Sequence, residues 1–133
     1  MHDVLVITSE LERIREARGW LTRHAENEGI PVGVVWEIEL AVGEALSNVI
    51  RHGYSGQANL KIELRLTIDE EKLELEIHDT ARPFARNSVP PPPLGTASTG
   101  GYGLHLIDEL MDEVEYARRE DGGLLRMVKR RYA

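Results

Sequence analysis

The sequence predicts an α+β fold, a two-layer sandwich in which helices cover one face of a mostly antiparallel sheet. Segments 60–68 and 73–77 alternate apolar and charged residues on either side of a short turn, which is typical of an antiparallel hairpin. A second pair of strand-like segments, 114–118 and 124–131, closes the chain. Three other segments repeat apolar residues every three or four positions, as helices packed on a sheet do. Strands that pair through hairpins, with helices able to cover one face, favour a two-layer arrangement.

The N-terminal part of the chain is predicted to form a strand and then a helix. The apolar run 4–7 fits either an edge strand or a buried strand. Ser9, with Glu12 three residues later, has the spacing of a capping box, so we expect the helix to begin there. Gly29 suits the left-handed position that ends a helix, and Pro31 prevents its continuation. The side of this helix that carries the periodic positions contains Leu11, Ile14, Ala17, Arg18, Leu21 and Ala25.

Two more helices are predicted, separated by a hairpin and a long irregular segment. The first runs over about 34–51, where the apolar residues share one broad face at about 100° per residue. No periodicity survives from 80 to 99, and a stretch of this length inside a compact domain is usually functional or disordered. We interpret about 82–99 as a lid. Regular structure resumes with the glycine turn at 100–103, and the helix after it carries Leu104, Leu106, Ile107, Leu110 and Met111.

The composition indicates a single domain, residues 1–133, that is long enough to bury a core on its own. The absence of cysteine excludes disulfides and zinc–thiolate sites. The formal net charge of −7 argues against direct nucleic-acid binding, which needs a clustered basic surface. No apolar run approaches the ~18 residues of a membrane span, so we expect a cytoplasmic protein without a membrane segment. We interpret the basic residues near the end as a solvated strand face: Arg118, Arg119, Arg126, Lys129, Arg130 and Arg131.

Two polar residues of the second predicted helix lie at the border of its apolar face. Glu44 and Asn48 are one turn apart, so their side chains point the same way. Ala41 and Ala45 lie beside them and leave room for a bound group, and His52 continues the same line. A polar helix edge with accidental spacing would look the same, so the helix alone does not decide between a site and a surface.

Two further segments are candidates for parts of the same site. Asp79 ends an apolar strand, and an ionised carboxylate can accept hydrogen bonds from an amino group such as that of adenine. An aspartate that merely starts a turn is the alternative. The glycine turn at 100–103 precedes a helix, whose first N–H groups could hold phosphates. Such turns are common, so this feature also means little by itself.

The combination of these motifs resembles the GHKL ATPases, which include gyrase, the Hsp90 chaperones, sensor histidine kinases and MutL. In that family ExxxN lies on a helix, DxG at a strand end, and GxG after a variable lid. Asn48, Asp79 and Gly101 occupy the matching elements in the same order. Within the superfamily the close match is to the bacterial anti-sigma-factor serine kinases. This similarity spans nearly the whole chain and is most specific in the segment EALSNVIRHGY, residues 44–54.

The resemblance implies a Bergerat-type, histidine-kinase-like site for ATP and Mg²⁺. Glu44 would be the catalytic residue that accepts the proton of the attacking hydroxyl, and Asn48 would bind Mg²⁺. Asp79 would bind the adenine amine, while Gly101 and Gly103 would hold phosphates. A supporting role for His52 on the phosphate side is no better founded than an interaction with the helix C-terminus. The implied ATP-binding residues are Asn48, His52, Asp79, Ala81, Phe84, Gly100, Gly101, Tyr102, Gly103 and Leu104.

The resemblance also implies a function and partners. The protein would be an ATP-dependent serine/threonine protein kinase that acts as an anti-sigma factor. In a partner-switching scheme it would bind a sigma factor and phosphorylate a STAS-type antagonist protein. The family implies a homodimer, for which the apolar residues Val4, Leu5 and Ile7 of the first strand are interface candidates.

Two departures from the family pattern leave an alternative open. The last residue of the DxG motif is Ala81, whose methyl group could crowd adenine or alter the local backbone. A hydroxyl residue often found near adenine is replaced by Leu124 or Leu125. Both changes would weaken nucleotide binding, so a nucleotide-sensing binding module with weak or absent phosphoryl transfer is the second hypothesis. The detached ATP-binding domain of a sensor histidine kinase fits less well, because the chain has no phosphoacceptor helix pair.

Overall fold

The chain forms one five-stranded sheet together with three α-helices in the residues that its computed structural model describes, which are 1–81, 99–119 and 121–132. The predicted order of strands and helices and the α+β class are confirmed. The elements are β1 (His2–Thr8), α1 (Arg13–Asn27), α2 (Val32–Asn48), a π-helical turn (Val49–Gly53), β2 (Lys61–Ile68), β3 (Lys72–Asp79), α3 (Thr99–Leu110), β4 (Glu113–Arg119) and β5 (Gly122–Arg130).

All neighbouring strands of the sheet are antiparallel, in the order β1-β2-β3-β5-β4. Because β5 lies between β3 and β4 and is antiparallel to both, the last residues of β3 and β4 lie beside the first residues of β5, at the same end of the sheet. Alternate residues of the strands face the helices and are buried, whereas the opposite face carries mostly charged side chains. The side chain of Asp79, the last residue of β3, therefore points to the helix-covered side of the sheet.

The helices bury the faces that the periodicity predicts. The side of α2 that packs against the sheet and against α3 includes Val35, Ile38, Ala41, Val42, Ala45 and Leu46. At the end of α1, Gly29 has φ +76°, its N–H donates to Glu26 O, and Ile30 N–H donates to Ala25 O at 3.0 Å. This is the Schellman arrangement, so the predicted glycine cap is confirmed.

The predicted capping box at the start of α1 is wrong. The helix begins at Arg13, and Ser9 lies outside it. The Ser9 hydroxyl instead donates to Gln57 O at 2.5 Å and accepts from Leu60 N–H at 3.0 Å. Ser9 is buried, so its hydroxyl satisfies main-chain groups of the loop before β2, and this long-range pairing replaces the local cap.

The expected position of the glycine turn is also corrected. The helix α3 begins at Thr99, so Gly100 and Gly101 lie in its first turn and Gly103 directly after that turn, and none of them lies ahead of the helix. Glycine adopts right-handed helical angles as readily as left-handed ones, so it does not by itself mark where a helix starts. None of the helices in the described residues is both long and apolar enough to cross a membrane.

The first strand is an edge strand, and of its expected interface residues Val4, Leu5 and Ile7 only Val4 is exposed. Ile7 is 3% exposed and belongs to the core, and Leu5 is half-buried, so these two residues are not free surface. Val4 and Val6 are 43% and 50% exposed on the opposite face. The period of two decides this pattern, because odd and even positions of a strand point to opposite sides.

Candidate functional site

The last turn of α2 presents two polar side chains that have unused hydrogen-bonding groups within the described residues. Glu44 and Asn48 are both half-buried and one helical turn apart. Within the described residues, the amide nitrogen of Asn48 is buried and has no hydrogen-bond partner. The Glu44 carboxylate has no ion pair or hydrogen bond in the same part of the chain. A buried amide left unsatisfied is costly, so these groups are suited to binding something outside the chain.

The helix changes its winding directly after Asn48. Residues 49–53 form a π-helical turn, in which Tyr54 N–H donates to Val49 O at 2.8 Å across five residues. A wider turn holds more residues than an α-helical one, so the positions after Asn48 rotate relative to those before it. His52 lies within this turn and is exposed, whereas Glu44 and Asn48 are half-buried. Such π-helical turns are frequent at functional sites.

Tyr54 connects this turn to the end of β3. Its hydroxyl donates to Lys61 O, accepts from Thr80 N–H at 2.8 Å, and lies 3.1 Å from the hydroxyl oxygen of Thr80. The ring is buried in the core. One side chain therefore fixes the C-terminal end of the Glu44–Asn48 helix relative to the strand end that carries Asp79.

Asp79 is the buried acid of the site, with a side chain that is 4% exposed. Its Oδ1 atom accepts from Ala81 N–H at 2.9 Å and from Gly123 N–H at 3.1 Å. The Arg118 guanidinium lies 3.4 Å from the same oxygen. Oδ2 has no hydrogen bond within the described part of the chain. Oδ1 therefore holds the carboxylate in place, and Oδ2 is the oxygen that can accept from a ligand.

The turn between β4 and β5 packs its main chain against Asp79. A Cβ atom on Gly122, which has φ +145°, would lie 1.8 Å from Asp79 O. A Cβ atom on Gly123 would lie 2.8 Å both from Oδ2 of Asp79 and from Nη1 of Arg118. A larger residue at 122 would meet main-chain atoms of β3, whereas one at 123 would displace the ends of the Asp79 and Arg118 side chains.

Ala81 does not distort the backbone. Its φ is not positive, so the alanine adopts an ordinary conformation where the family motif has glycine. Its methyl group is 5% exposed and belongs to the hydrophobic core. The main chain around it is also held, because Ala81 N–H donates to Asp79 and Ala81 O lies 3.3 Å from Arg118 Nη1.

Arg118 is a site residue that the sequence analysis assigned to a solvated strand face, and that assignment is wrong. Its side chain is 18% exposed and lies on the helix-covered face of β4, across Gly123 from Asp79. Lys129 is likewise not solvated: it donates to Leu110 O at 2.6 Å and is 3.3 Å from a Glu37 carboxylate oxygen. The strand pattern could have predicted this position, because Arg118 is an even number of residues from Val114 and therefore points to the same, inward face. The assignment holds for Arg126, which pairs with glutamates on the open face of the sheet.

Some predicted site residues cannot be placed by their side chains. Phe84 and the part of the lid at 82–98 lie outside the described residues. The main chain of 99–104 belongs to the first turns of α3, but the side chains there, including Tyr102 and Leu104, lie outside the description. The structure thus brings together the end of β3, the β4–β5 turn and Arg118, and it ties them through Tyr54 to the helix of Glu44 and Asn48.

The residues present fit a Mg²⁺–nucleotide group on two observations. The buried amide nitrogen of Asn48 has no hydrogen-bond partner in the described residues and can donate to a phosphate oxygen, so the amide oxygen is the atom that Mg²⁺ would take, beside phosphate and water oxygens. Asp79 keeps one carboxylate oxygen without a partner in the described residues. A Mg²⁺–nucleotide group needs an acceptor for the amine of its base and an oxygen ligand for its cation. Asp79 can provide the first and the Asn48 amide the second.

Comparisons with known proteins agree with this geometry. Serine-protein kinase RsbW of Listeria monocytogenes serovar 1/2a is 29% identical over 125 residues, which cover 86% of this chain and 80% of that protein. RsbW of Bacillus subtilis strain 168 is 26% identical over 131 residues, which cover 92% and 81%. The crystal structure of the RsbU and RsbW domains of Rv1364c from Mycobacterium tuberculosis matches with a TM-score of 0.73 at 15% identity. That match covers 98% of this chain and 32% of the other, and at this identity it is evidence for the fold alone.

The family itself is identified by a match over most of the sequence. The family model described as the histidine kinase-like ATPase domain matches residues 7–129, a range that contains both polar residues of α2, Asp79 and the β4–β5 turn. The predicted Bergerat-type fold is confirmed by the element order and by the structural match. The chain belongs to the histidine kinase-like ATPase family.

Proposed function

We propose that this protein is an ATP-dependent serine/threonine protein kinase that acts as an anti-sigma factor. In a partner-switching scheme it would bind a sigma factor and phosphorylate a STAS-type antagonist of that complex. The observation that supports this most is the pair Glu44 and Asn48, half-buried one turn apart and without internal partners in the described residues. The serine-protein kinase names of the relatives support the same class of reaction.

Each polar group of the site has a distinct part in this proposal. ATP would supply the phosphoryl group, and Mg²⁺ would neutralise the charge of its phosphates. The amide oxygen of Asn48 would hold the cation, and Oδ2 of Asp79 would accept from the adenine amine. The first turn of α3, which contains Gly101 and is followed by Gly103, would direct its unpaired N–H groups and the positive end of the helix dipole at the phosphates.

Glu44 is the proposed general base. Its carboxylate lies one turn before Asn48 on the same helix, so a hydroxyl that approaches the cation-bound phosphate also approaches Glu44. Removal of the hydroxyl proton as the phosphoryl group is transferred is the chemical task that this position allows. Because the Glu44 carboxylate has no partner among the residues that the structure describes, both of its oxygens are available for this task.

The surface offers two regions for protein partners. An open groove between α1 and α2 is lined by Arg15, Arg18 and Arg51, with Glu39 as its acidic member. On a chain with net charge −7 this groove is suited to an acidic segment of a partner. The second region is the edge strand β1, which pairs with β2 on one side and carries the exposed Val4 and Val6. We propose that a second copy of the chain covers this strand in a homodimer.

The test of the kinase proposal is the transfer of labelled phosphate from ATP with Mg²⁺ to a STAS-type partner protein. We expect Glu44→Gln to bind nucleotide as the wild type does but to transfer phosphate about 10²–10⁴-fold more slowly, since only proton acceptance is lost. Asn48→Ala should lose Mg²⁺-dependent affinity as well as rate. Glu71→Gln, an exposed change of the same kind in the β2–β3 turn, is the matched control and should leave both unchanged.

The outcomes separate the kinase from the alternative. If the wild type binds ATP but transfers nothing to the partner offered, the protein is a nucleotide-sensing binding module. The alanine at position 81, where the family motif has glycine, is the observation that favours this second function. If Glu44→Gln transfers phosphate at the wild-type rate, Glu44 is not the base.

A further inference from the structure

We propose that Arg118 reads the nucleotide base together with Asp79. Oδ2 of Asp79 accepts from the exocyclic amine, and the Arg118 guanidinium donates to the ring nitrogen beside that amine. This inference rests on the proposed ATP-binding function and adds to it a residue that determines which base edge is accepted.

The position of Arg118 follows from the register of the sheet. Arg118 of β4 pairs with Gly123 of β5, which is the neighbour of Asp79 on β3. All three lie on the helix-covered side of the sheet. Since Gly123 has no side chain, the guanidinium extends across it and reaches the acid on the next strand.

Donor and acceptor meet above Gly123. Oδ2 of Asp79 and Nη1 of Arg118 each lie 2.8 Å from the point that a Gly123 Cβ atom would occupy. The acid's other oxygen is taken by Ala81 N–H and Gly123 N–H, at 2.9 Å and 3.1 Å. The carboxylate oxygen and the guanidinium therefore lie side by side over Gly123, and a ligand edge that reaches Oδ2 also reaches Nη1.

Two contacts of the Arg118 guanidinium, with Asp79 and with Ala81, are suited to exchange. Nη1 lies 3.4 Å from Oδ1 of Asp79 and 3.3 Å from Ala81 O, which is longer than the usual 2.7–3.2 Å of an N–H···O bond. Nη2 donates to the hydroxyl of Tyr116, and the guanidinium lies over the Tyr116 ring with 5.2 Å to its centroid. Tyr116 thus orients the group, while the long Nη1 contacts lose little when a ligand atom replaces them.

The chemistry of this pair specifies a base edge with an amine next to an unprotonated ring nitrogen. The N6 amine and N1 of adenine have this arrangement. The β5 residues next to Asp79 offer no side-chain donor for N1, because they are glycine at 123 and leucine at 124 and 125. Arg118 supplies that donor from β4, and a charge-assisted bond to a neutral acceptor is stronger than a bond between two neutral groups.

The test combines a change in the nucleotide with a change in the protein. Binding of ADP, 1-deaza-ADP, which lacks N1, and 7-deaza-ADP, which keeps it, is measured by calorimetry with Mg²⁺. We expect the wild type to bind 1-deaza-ADP about ten-fold or more weakly than ADP, with 7-deaza-ADP close to ADP. In Arg118→Ala, ADP should bind about ten-fold more weakly and the difference between ADP and 1-deaza-ADP should disappear.

Arg126→Ala is the matched control, because Arg126 is also an ion-paired strand arginine but lies on the opposite face of the sheet. It should keep the wild-type discrimination against 1-deaza-ADP. A wild type that binds ADP and 1-deaza-ADP equally overturns the role of Arg118 and leaves ATP binding intact, and this comparison needs no variant to fold. If Arg118→Ala still binds 1-deaza-ADP more weakly than ADP, the role of Arg118 is likewise overturned. A wild type that binds none of the three nucleotides overturns the proposed function as well.

Discussion

Replacing Gly122 by alanine tests whether the β4–β5 turn holds Asp79 through close main-chain contact. The added Cβ atom would lie 1.8 Å from Asp79 O, and it would have to move beyond 3.0 Å before the contact became tolerable. The atom it meets belongs to the main chain of β3, which cannot swing away as the end of a side chain can. Gly122 also has φ +145°, a conformation that strains any residue with a side chain.

The expected cost follows from these two effects. Overpacking costs about 1–3 kcal/mol and the strained backbone about 1–3 kcal/mol, so we expect the free energy of unfolding to fall by about 2–6 kcal/mol. This would be a large part of the 5–15 kcal/mol that is usual for a domain. Gly123→Ala should cost less, about 1–2 kcal/mol, because the nearest atoms are the ends of the Asp79 and Arg118 side chains.

Urea unfolding followed by circular dichroism measures these differences. Gly33→Ala is the control, because a Cβ atom there meets nothing within 4 Å in the first turn of α2 and should stabilise the protein by about 0.4–1 kcal/mol. The reasoning is refuted if Gly122→Ala unfolds within about 1 kcal/mol of the wild type, or if Gly123→Ala is the more damaging of the two.

Two further predictions concern other contacts that fix the fold. Tyr54→Phe removes the hydroxyl that serves Lys61 O and Thr80 N–H, so urea unfolding should show a loss of about 1–3 kcal/mol; a loss below about 0.5 kcal/mol would mean that water replaces the hydroxyl at no cost. Hydrogen bonds from Trp20 and His24 lower the pKa of Asp3 below its ordinary 3.8, so this carboxylate contributes stability above that pH and the contribution is lost as the pH falls through the lowered value. Thermal melts between pH 7 and pH 3 should therefore fall more steeply for the wild type than for Asp3→Asn; parallel curves would contradict the assigned cause.

The hairpins and the buried face of α2 could be predicted because their signals are local. Alternation in 60–68 and 73–77 fixes both the strands and the face that each residue takes, and the register of β2 with β3 follows from the turn between them. The pairing of Gly29 and Ile30 with the last turn of α1 is equally local. In these cases the interaction that decides the structure connects residues only a few positions apart.

The misassignments came from contacts between distant parts of the chain. The Ser9 hydroxyl bonds to residues 48 and 51 positions away, so its capping-box spacing was misleading. Arg118 bonds to Asp79 across 39 positions, and its neighbours in sequence are mostly charged. Tyr54 lay inside the most specific motif, yet its role appears only when the end of β3 is brought beside α2. No periodicity encodes such pairings.

The candidate site was predicted in its residue types more than in its shape. Glu44, Asn48 and Asp79 were identified from motif order, and the structure places them on the expected helix and strand end. The π-helical turn after Asn48 was not predicted, because no pattern in residues 49–53 distinguishes a π turn from the end of an α-helix.

The two faces of the sheet leave the protein unequal freedom to change over evolution. The helix-covered face combines the core with the Asp79–Arg118 corner, so a substitution there alters packing, the site or both. The open face carries charged rows such as Arg65, Glu76, Arg126 and Glu115 in register across four strands. Exposed substitutions away from such ion pairs usually change stability by less than about 0.5 kcal/mol. New binding specificities can therefore arise on the open face while the nucleotide corner on the other side of the same strands stays as it is.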